Sequence, residues 1–352
     1  MTRVTLSPAI VAACALAACL ALLGFARGVE AQAATGTIRG AITSGTQGVT
    51  IPDSIAVRMI VLDDSRVSGA IPATVSGGRY SASLPMPPGR VYIPHVTYEG
   101  VDYFGELVTL TESAREVTRD FRVYGTTRTA PDLAIVSSTV TVVAIDRTQG
   151  KLGLLREDMI ANPSDRVFIG DESGITLRIP APTGTTEATG DESDGEFKLE
   201  RGVLTATTPI RPGRLTPVLT RYVVAFDREV DQYALRVTAS LPAERLTVRV
   251  PVGAVASLTP ETGAHRVEDE RTTPEPGRPG EGQVLQIVQS NGSVQPGGGI
   301  VVHLVGLSQD VVQTNPLTEP RGAAIAGVLA LLIVGGGTFA VWRWRGRVGS
   351  TA

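Results

Sequence analysis

Cysteine is nearly missing from this 352-residue chain: Cys14 and Cys19 are the whole complement, and both fall in an apolar leading segment. Once that segment is removed no thiol remains, which excludes disulfide staples, thiolate metal sites and cysteine nucleophiles together. Lysine is confined to Lys151 and Lys198. Histidine is limited to His95, His265 and His303, and no two of them stand at local metal-ligand spacing. Aromatic residues make up 5% of the chain, which leaves little material for the ring platforms that bind sugars. Catalytic signatures are missing as well. There is no Gly-x-Ser-x-Gly elbow, Ser-x-x-Lys pair, Gly-x-Gly-x-x-Gly turn or phosphate loop, and nothing selects a carboxylate pair for glycoside hydrolysis. The sequence therefore predicts no enzyme, no cofactor and no metal.

What the chain does have is a long uncharged run, Ala323 to Trp342, near its C-terminus. Twenty helical residues rising ~1.5 Å each span ~30 Å, the thickness of a bilayer's hydrocarbon core, and at that depth only a helix satisfies its own backbone. Arg343, Arg345 and Arg347 follow, interleaved with Trp342 and Trp344. A basic cluster marks the cytoplasmic end of a span, and indoles favour the headgroup region. The N-terminus fits the same topology. Arg3 begins a short basic region, Pro8 to Phe25 is apolar, and Ala31-Gln32-Ala33 is a small-x-small cleavage pattern, so the mature chain is expected to start at Ala34. Two readings compete with cleavage: the run is long enough to remain as a first span, and Leu16-Ala17-Ala18-Cys19 has the form of a lipobox. The expectation is a single-pass cell-membrane protein with a short cytoplasmic tail, 343–352.

Between these ends lie roughly 290 residues, enough for two domains of ordinary length. Setting aside Arg3, Arg27, Arg343, Arg345 and Arg347 from the 32 basic residues and Glu30 from the 35 acidic ones leaves 27 and 34, a net charge of −7. That balance argues against a nucleic-acid partner.

From Gly36 to Tyr124 short alternating segments are punctuated by Gly, Pro and Asp. They are Thr37–Ile42, Ile55–Leu62, Arg79–Leu84 after Gly77-Gly78, Val91–Tyr98, Tyr103–Leu110 and Val117–Tyr124. This pattern predicts an all-β sandwich over 34–125. The stretch Gly36-Thr37-Ile38-Arg39-Gly40-Ala41-Ile42, the element Gly78-Arg79-Tyr80, and Val96-Thr97-Tyr98-Glu99-Gly100-Val101-Asp102-Tyr103 resemble the carboxypeptidase regulatory-like, prealbumin-type β-sandwich family. The resemblance covers about a quarter of the chain and implies a non-catalytic accessory module, sometimes grouped with carbohydrate-binding-like folds. Pilin-like relatives can form a Lys–Asn isopeptide bond, which this lysine-free segment excludes. The family's acidic residue before the Gly-x-Tyr element is also replaced, by Val75-Ser76-Gly77.

After a linker at 125–132, the segment 133–307 reads as a second β-rich domain. Its expected strands include Leu133–Ile145, a pair at Arg166–Ile169 and Ile175–Pro180, and Thr220–Phe226. Leu152–Asn162 is helix or strand, and Thr238–Pro251 is a hairpin. Residues 260–283 collapse into Glu, Pro, Gly, Arg and Thr and read as a flexible loop. Val284–Val288 and Ile300–Val305 form a last hairpin, and 308–322 is a stalk into the membrane. The order of the pieces is similar to bacterial envelope proteins that pair a regulatory-like domain with a second β-domain and a C-terminal span.

Remaining candidates for chemistry are few. Asp191-Glu192-Ser193-Asp194-Gly195-Glu196 has clustered carboxylates suited to calcium but departs from the Asp-x-Asp-x-Asp-Gly pattern, so a solvated acidic turn is the plainer reading. Met59 and Met86 read as packing residues. Tyr98, Tyr103 and Phe104 are the nearest thing to an aromatic sugar platform. The sequence thus points to a non-enzymatic, membrane-anchored envelope protein presenting two extracytoplasmic β-sandwiches to an envelope protein or a glycan. The alternatives are a carbohydrate-binding module and an accessory subunit of an envelope membrane complex.

Overall fold

A computed structural model describes residues 34–191, 195–272 and 283–308. The expected leader 1–33, the span 323–342 with its Trp342 to Arg347 flank, the tail, and all of the stalk but Ser308 lie outside them. The described residues are all-β, with 24 strands and no helix; none is therefore long and apolar enough to cross a membrane as a helix. They form two compact units that divide between Val123 and Tyr124.

The first unit holds β1 (Thr35–Ser44), β2 (Val57–Asp63), β3 (Arg66–Pro72), β4 (Thr74–Ser76) and β5 (Arg79–Pro85). β6 (Val91–Tyr98), β7 (Val101–Phe104), β8 (Glu116–Thr118) and β9 (Phe121–Val123) complete it. One sheet runs β4-β5-β1-β8, with β9 also on β1; the other runs β3-β2-β6-β7. Period-2 alternation sets which face is buried. In β5, Tyr80, Ala82 and Leu84 go inward while Arg79, Ser81 and Ser83 face solvent. Each fully buried Leu or Val is worth roughly 1.5–3 kcal/mol by transfer. Gly77 and Gly78 take φ of 55° and 68°, the paired left-handed geometry of a two-residue hairpin, and join β4 to β5 in register. Gly40, within the first regulatory-like motif, is required for a different reason. A Cβ there would meet the Arg119 carbonyl oxygen at 1.8 Å, because the chain leading into β9 passes directly over β1.

The second unit begins with β10 (Thr126–Thr127), β11 (Ala134–Asp146), β12 (Lys151–Ala161), β13 (Val167–Phe168) and β14 (Leu177–Pro180). β15 (Thr185–Gly190), β16 (Phe197–Glu200), β17 (Val203–Ala206), β18 (Thr216–Ala225) and β19 (Gln232–Thr238) follow. The last five are β20 (Leu246–Pro251), β21 (Ser257–Pro260), β22 (Ala264–Arg271), β23 (Val284–Ser290) and β24 (Gly299–Val305). A seven-stranded sheet, β15-β18-β12-β11-β20-β23-β22, is the backbone of the unit. Its buried residues, such as Val140, Leu154, Tyr222 and Val248, share one core with Ile179 and Leu204 of the β14-β17-β16 sheet. Leu235 and Val302 of the β19-β24-β21 sheet belong to the same core.

Several sequence expectations change here. Leu152–Asn162 is strand, not helix: β12 pairs with both β11 and β18. The Arg166–Ile169 and Ile175–Pro180 strands do not pair with each other, since β13 joins β10 and β14 joins β17. Neither Thr238–Pro251 nor Val284–Val305 is a hairpin. β19 and β24 pair together in a small sheet, while β20 and β23 pair in the large one. Chain neighbours in a two-layer β fold often belong to different sheets, and local turn signals carry no record of that. Thr126 and Thr127 of the expected linker are built into the second unit as β10. Within the flexible loop expected over 260–283, of which 273–282 lie outside the described residues, Ala264–Arg271 is instead the edge strand β22 along β23. Its side chains are mostly exposed and charged, as edge strands tend to be, so its composition resembles a loop while its backbone completes a ladder.

Candidate functional site

The two sheets of the first unit differ on their outward faces. On the five-stranded sheet the outward positions are polar apart from Ala41: Thr37, Arg39, Arg79, Ser81, Ser83, Glu116 and Thr118, with Arg39 and Glu116 in an ion pair at 3.0 Å. On the four-stranded sheet β2 puts Val57, Met59 and Val61 inward, which turns Arg58, Ile60 and Leu62 outward. β6 adds half-buried Val91, Ile93 and His95, with exposed Thr97, to the same face. Ile60 stands opposite Ile93 and Ala70, and Leu62 stands opposite Val91 and Val67. Val67 is 72% exposed and Phe104 53%. The result is an apolar strip on a sheet face that water contacts, where alternation normally delivers polar side chains.

One end of the strip is a polar and aromatic cluster. His95 pairs across the strands with Phe104, and the two rings stack with centroids 4.7 Å apart and planes 25° apart. His95 Nε2 lies 3.0 Å from Asp102 Oδ1, which also accepts a 2.6 Å hydrogen bond from Thr97 Oγ1. The other end is closed by Arg90, whose Nε and Nη2 donate to the two oxygens of Asp63 at 2.7 and 3.0 Å. That guanidinium, helped by Ser68, holds the Asp63 carboxyl below the usual carboxylate range. Chemically the strip offers a dispersion surface with hydrogen-bonding groups at both ends. Asp102 Oδ1 thus gathers the Thr97 hydroxyl and the His95 imidazole at one point.

The residues singled out from sequence are dispersed by the fold. Tyr98 and Tyr103 point inward, 8% and 6% exposed, so strand alternation separates them from Phe104 and breaks up the expected aromatic cluster. His265 meets Asn291 Oδ1 at 2.7 Å through Nδ1, and His303 meets Glu261 at 2.7 Å through Nε2; with His95 these are three separate sites. Among the described residues no group of three His, Cys, Asp or Glu converges to hold a metal ion. Met59 is fully buried in the first core, and Met86 N–H donates to the Ala34 carbonyl. Glu192, Ser193 and Asp194 of the acidic turn lie outside the described residues. Beside them Glu196 N–H is held by Thr207 Oγ1 at 2.8 Å.

Sequence reasoning missed a buried ion pair in the second unit. Arg156 Nε donates to both oxygens of Asp158, at 3.1 and 2.9 Å, and the two side chains are only 3% and 1% exposed. They lie on the buried face of β12, with Thr220 directly across from Arg156 and Ser138 across from Asp158. Ser138 Oγ, Arg156 Nη2, Thr220 Oγ1 and Tyr222 Oη have no hydrogen-bond partner of ordinary geometry among the described residues. Burial pushes the Tyr222 phenol above its ordinary pKa, while Arg156 and Thr220 beside it pull the other way. The available signal was the alternation Leu152, Leu154, Arg156, Asp158, Ile160, in which two charges occupy inward positions.

No family model matches the chain, and no curated protein matches it. Among solved structures, the M1 zinc metallopeptidase from Deinococcus radiodurans is similar over 49% of this chain and 42% of its own, at 10% identity and a TM-score of 0.30. A substrate-bound form of that enzyme, with Tyr-Ser-Ala, gives the same identity and coverage and a TM-score of 0.29. The full-length major pilin SpaD of Corynebacterium diphtheriae is similar over 58% of this chain and 60% of its own, at 12% identity and a TM-score of 0.21. The chain thus spans less than half the length of the peptidases it matches, and likeness at these scores says nothing of activity here.

Proposed function

We propose that this chain is a non-enzymatic, membrane-anchored envelope protein that holds two β-sandwich domains outside the cytoplasm for binding or scaffolding. In this reading 1–33 is a cleaved signal peptide and 323–342 a single spanning helix. The first sandwich is a carboxypeptidase regulatory-like domain, a reading carried by its three sequence motifs. The observation that supports a binding role is the outward apolar strip of Ile60, Leu62, Val67, Val91 and Ile93, ended by His95, Asp102 and Phe104. Water-facing strands elsewhere in the unit are polar, and a contiguous apolar patch on a folded surface marks a contact site. The partner is an envelope protein, or the complex of which this chain is an accessory subunit. Purification of the tagged full-length protein in mild detergent tests this. A partner retained by the native chain and by Ser81→Ala/Ser83→Ala, yet lost from Ile60→Ser/Ile93→Ser, is the expected result. Retention by the Ile60/Ile93 variant would remove the strip from the proposal.

A second reading is saccharide binding, favoured by the exposed Phe104 ring beside the Asp102 carboxylate. Sugars stack apolar faces on rings and accept or donate hydrogen bonds at their rim. Retention on immobilised envelope glycans that disappears in Phe104→Ala would support it over a protein partner.

A further inference from the structure

The chain contains three asparagines, Asn162, Asn291 and Asn315, and two of them precede proline. An asparagine rearranges when the next residue's backbone nitrogen attacks its side-chain carbonyl carbon. Proline has no N–H to lose, so Asn162-Pro163 and Asn315-Pro316 are closed to this route. Asn291-Gly292 is open to it, and glycine imposes the least steric hindrance on the attack.

The surroundings of Asn291 favour the reaction. Asn291, Gly292 and Ser293 are exposed in the connection that leaves β23. Gly292 N–H donates to no group among the described residues, so its nitrogen is unencumbered. An open depression of about 420 Å³ over Ser290, Asn291, Gly292, Ser293 and Gln295 gives water direct access. On β22, His265 Nδ1 sits 2.7 Å from Asn291 Oδ1, placed to donate a hydrogen bond to the amide oxygen. Donation to that oxygen draws electrons from Cγ and stabilises the negative charge that develops as nitrogen adds.

We propose that Asn291 is a self-modification site, deamidating through a cyclic imide with His265 as electrophilic assistant. Gly292 N bonds to Asn291 Cγ as the Cγ–Nδ2 bond breaks, and ammonia leaves with the proton given up by Gly292 N. Water then opens the imide at one carbonyl to give aspartate, or at the other to give isoaspartate with one more methylene in the main chain. Aspartate puts a carboxylate where the amide met His265, whereas in isoaspartate that carbonyl joins the main chain and the former α-carbonyl becomes the free carboxylate. The isoaspartyl product also lengthens the main chain just after the Asn291 Cα, one bond from the N–H that donates to the Gly263 carbonyl at 2.9 Å.

The test is timed incubation of the full-length protein at neutral and mildly alkaline pH, followed by peptide mass mapping and enzymatic isoaspartate detection. Conversion is expected at Asn291 and not at Asn162 or Asn315. His265→Ala should slow it by about fivefold, well short of an evolved acid catalyst, and His265→Gln, which can still donate, should restore part of the rate. His265 is exposed on an edge strand, so both variants are expected to fold, and thermal unfolding of each verifies it. Asn291 remaining an amide in the folded chain while converting after unfolding in urea would overturn the site. Equal or faster conversion in His265→Ala would overturn the role of His265.

Discussion

In the first unit the buried tyrosines carry their hydroxyls to the margin of the core, where Tyr80 donates to the Arg119 carbonyl and Tyr92 to that of Pro85. In the second unit Tyr233 does the same toward the Thr183 carbonyl, but a further set of polar atoms stays in the middle of the large sheet. Arg156 and Asp158 are buried together, and the hydroxyls of Ser138, Thr220 and Tyr222 beside them go without partners among the described residues. Both units bury strands by alternation, yet only the second places charge at inward positions. A smaller unit has all its core within reach of main-chain carbonyls at the sheet ends, whereas the centre of a seven-stranded sheet has its main chain committed to ladders. Polar groups placed there have only one another to bond, and beyond the Arg156–Asp158 pair they leave several atoms unsatisfied among the described residues. A buried pair of this kind rarely adds net stability over apolar residues of the same volume, but breaking it is costly.

Four measurements probe that contrast, beginning with the largest effect. Arg156→Met leaves Asp158 buried without its partner and should lower unfolding free energy by about 3–5 kcal/mol, while Arg156→Met/Asp158→Leu should recover most of the loss. Urea titration of the three proteins reads this directly; equal losses for the single and double variants would show that packing, not charge, dominates.

The next effect contrasts two tyrosines, Tyr80 of the first unit and Tyr222 at the centre of the large sheet. Tyr80→Phe strands the Arg119 carbonyl and should cost about 1 kcal/mol, whereas Tyr222→Phe removes a hydroxyl with only Thr220 to bond, short of ordinary hydrogen-bond geometry, and should fall within about 0.5 kcal/mol of zero. A comparable loss for both would erase the distinction between the two interiors.

Acid stability should come from outside both cores. Asp63, Asp146 and Asp171 all have folded-state pKa values below the ordinary 3.8, lowered chiefly by hydrogen bonds from Arg90, Thr148 and Arg178 respectively. A depressed carboxyl contributes stability above its unfolded pKa and loses it as pH falls through the folded value. The melting temperature should therefore decline below about pH 4, and Asp171→Asn should flatten that decline. These carboxyls are partly open to solvent, so the change will be modest and smaller in high salt. An acid limb unchanged in Asp171→Asn would place the titrating groups elsewhere.

The smallest effect is expected on the polar outward face of the five-stranded sheet. Ser81→Ala and Ser83→Ala should each alter stability by less than about 0.5 kcal/mol, since neither side chain is buried. A larger change would mean that this face, and not the apolar strip, is the one in contact with something.

Much of this architecture was legible in the sequence, and the parts that were not share a cause. Gly77-Gly78 announced its hairpin because a left-handed two-residue turn favours glycine, and both residues have positive φ. Alternation in Arg79–Pro85 and Val91–Tyr98 gave the strands and their inward residues. Partner choice was not legible. Leu241-Pro242-Ala243-Glu244 looks like a hairpin tip, yet β19 and β20 on either side belong to different sheets, a distinction set by long-range pairing. β22 was hidden because an edge strand needs little apolar surface when its neighbour supplies the ladder. The outward strip escaped notice for the inverse reason. Ile60 and Ile93 read as core from composition, and only the register shows them on the far side of the sheet from Met59. Tyr98, Tyr103 and Phe104 were grouped by proximity along the chain, a measure that a period of two overrides.

The last described residue bears on how load would travel through the molecule. Ser308 N–H donates to Asp231 Oδ1, Ser308 Oγ reaches the Arg228 carbonyl at 3.4 Å, and Gly306 N–H donates to the Asp231 carbonyl at 3.0 Å. Immediately before them β24 is the middle strand of its sheet, bonded to β19 on one side and β21 on the other. A pull on the polypeptide beyond Ser308 first meets the Asp231 clasp and then must slide β24 lengthwise against two ladders at once. Under a pull directed along β24, both ladders would be loaded in shear and their bonds would share the load instead of unzipping singly.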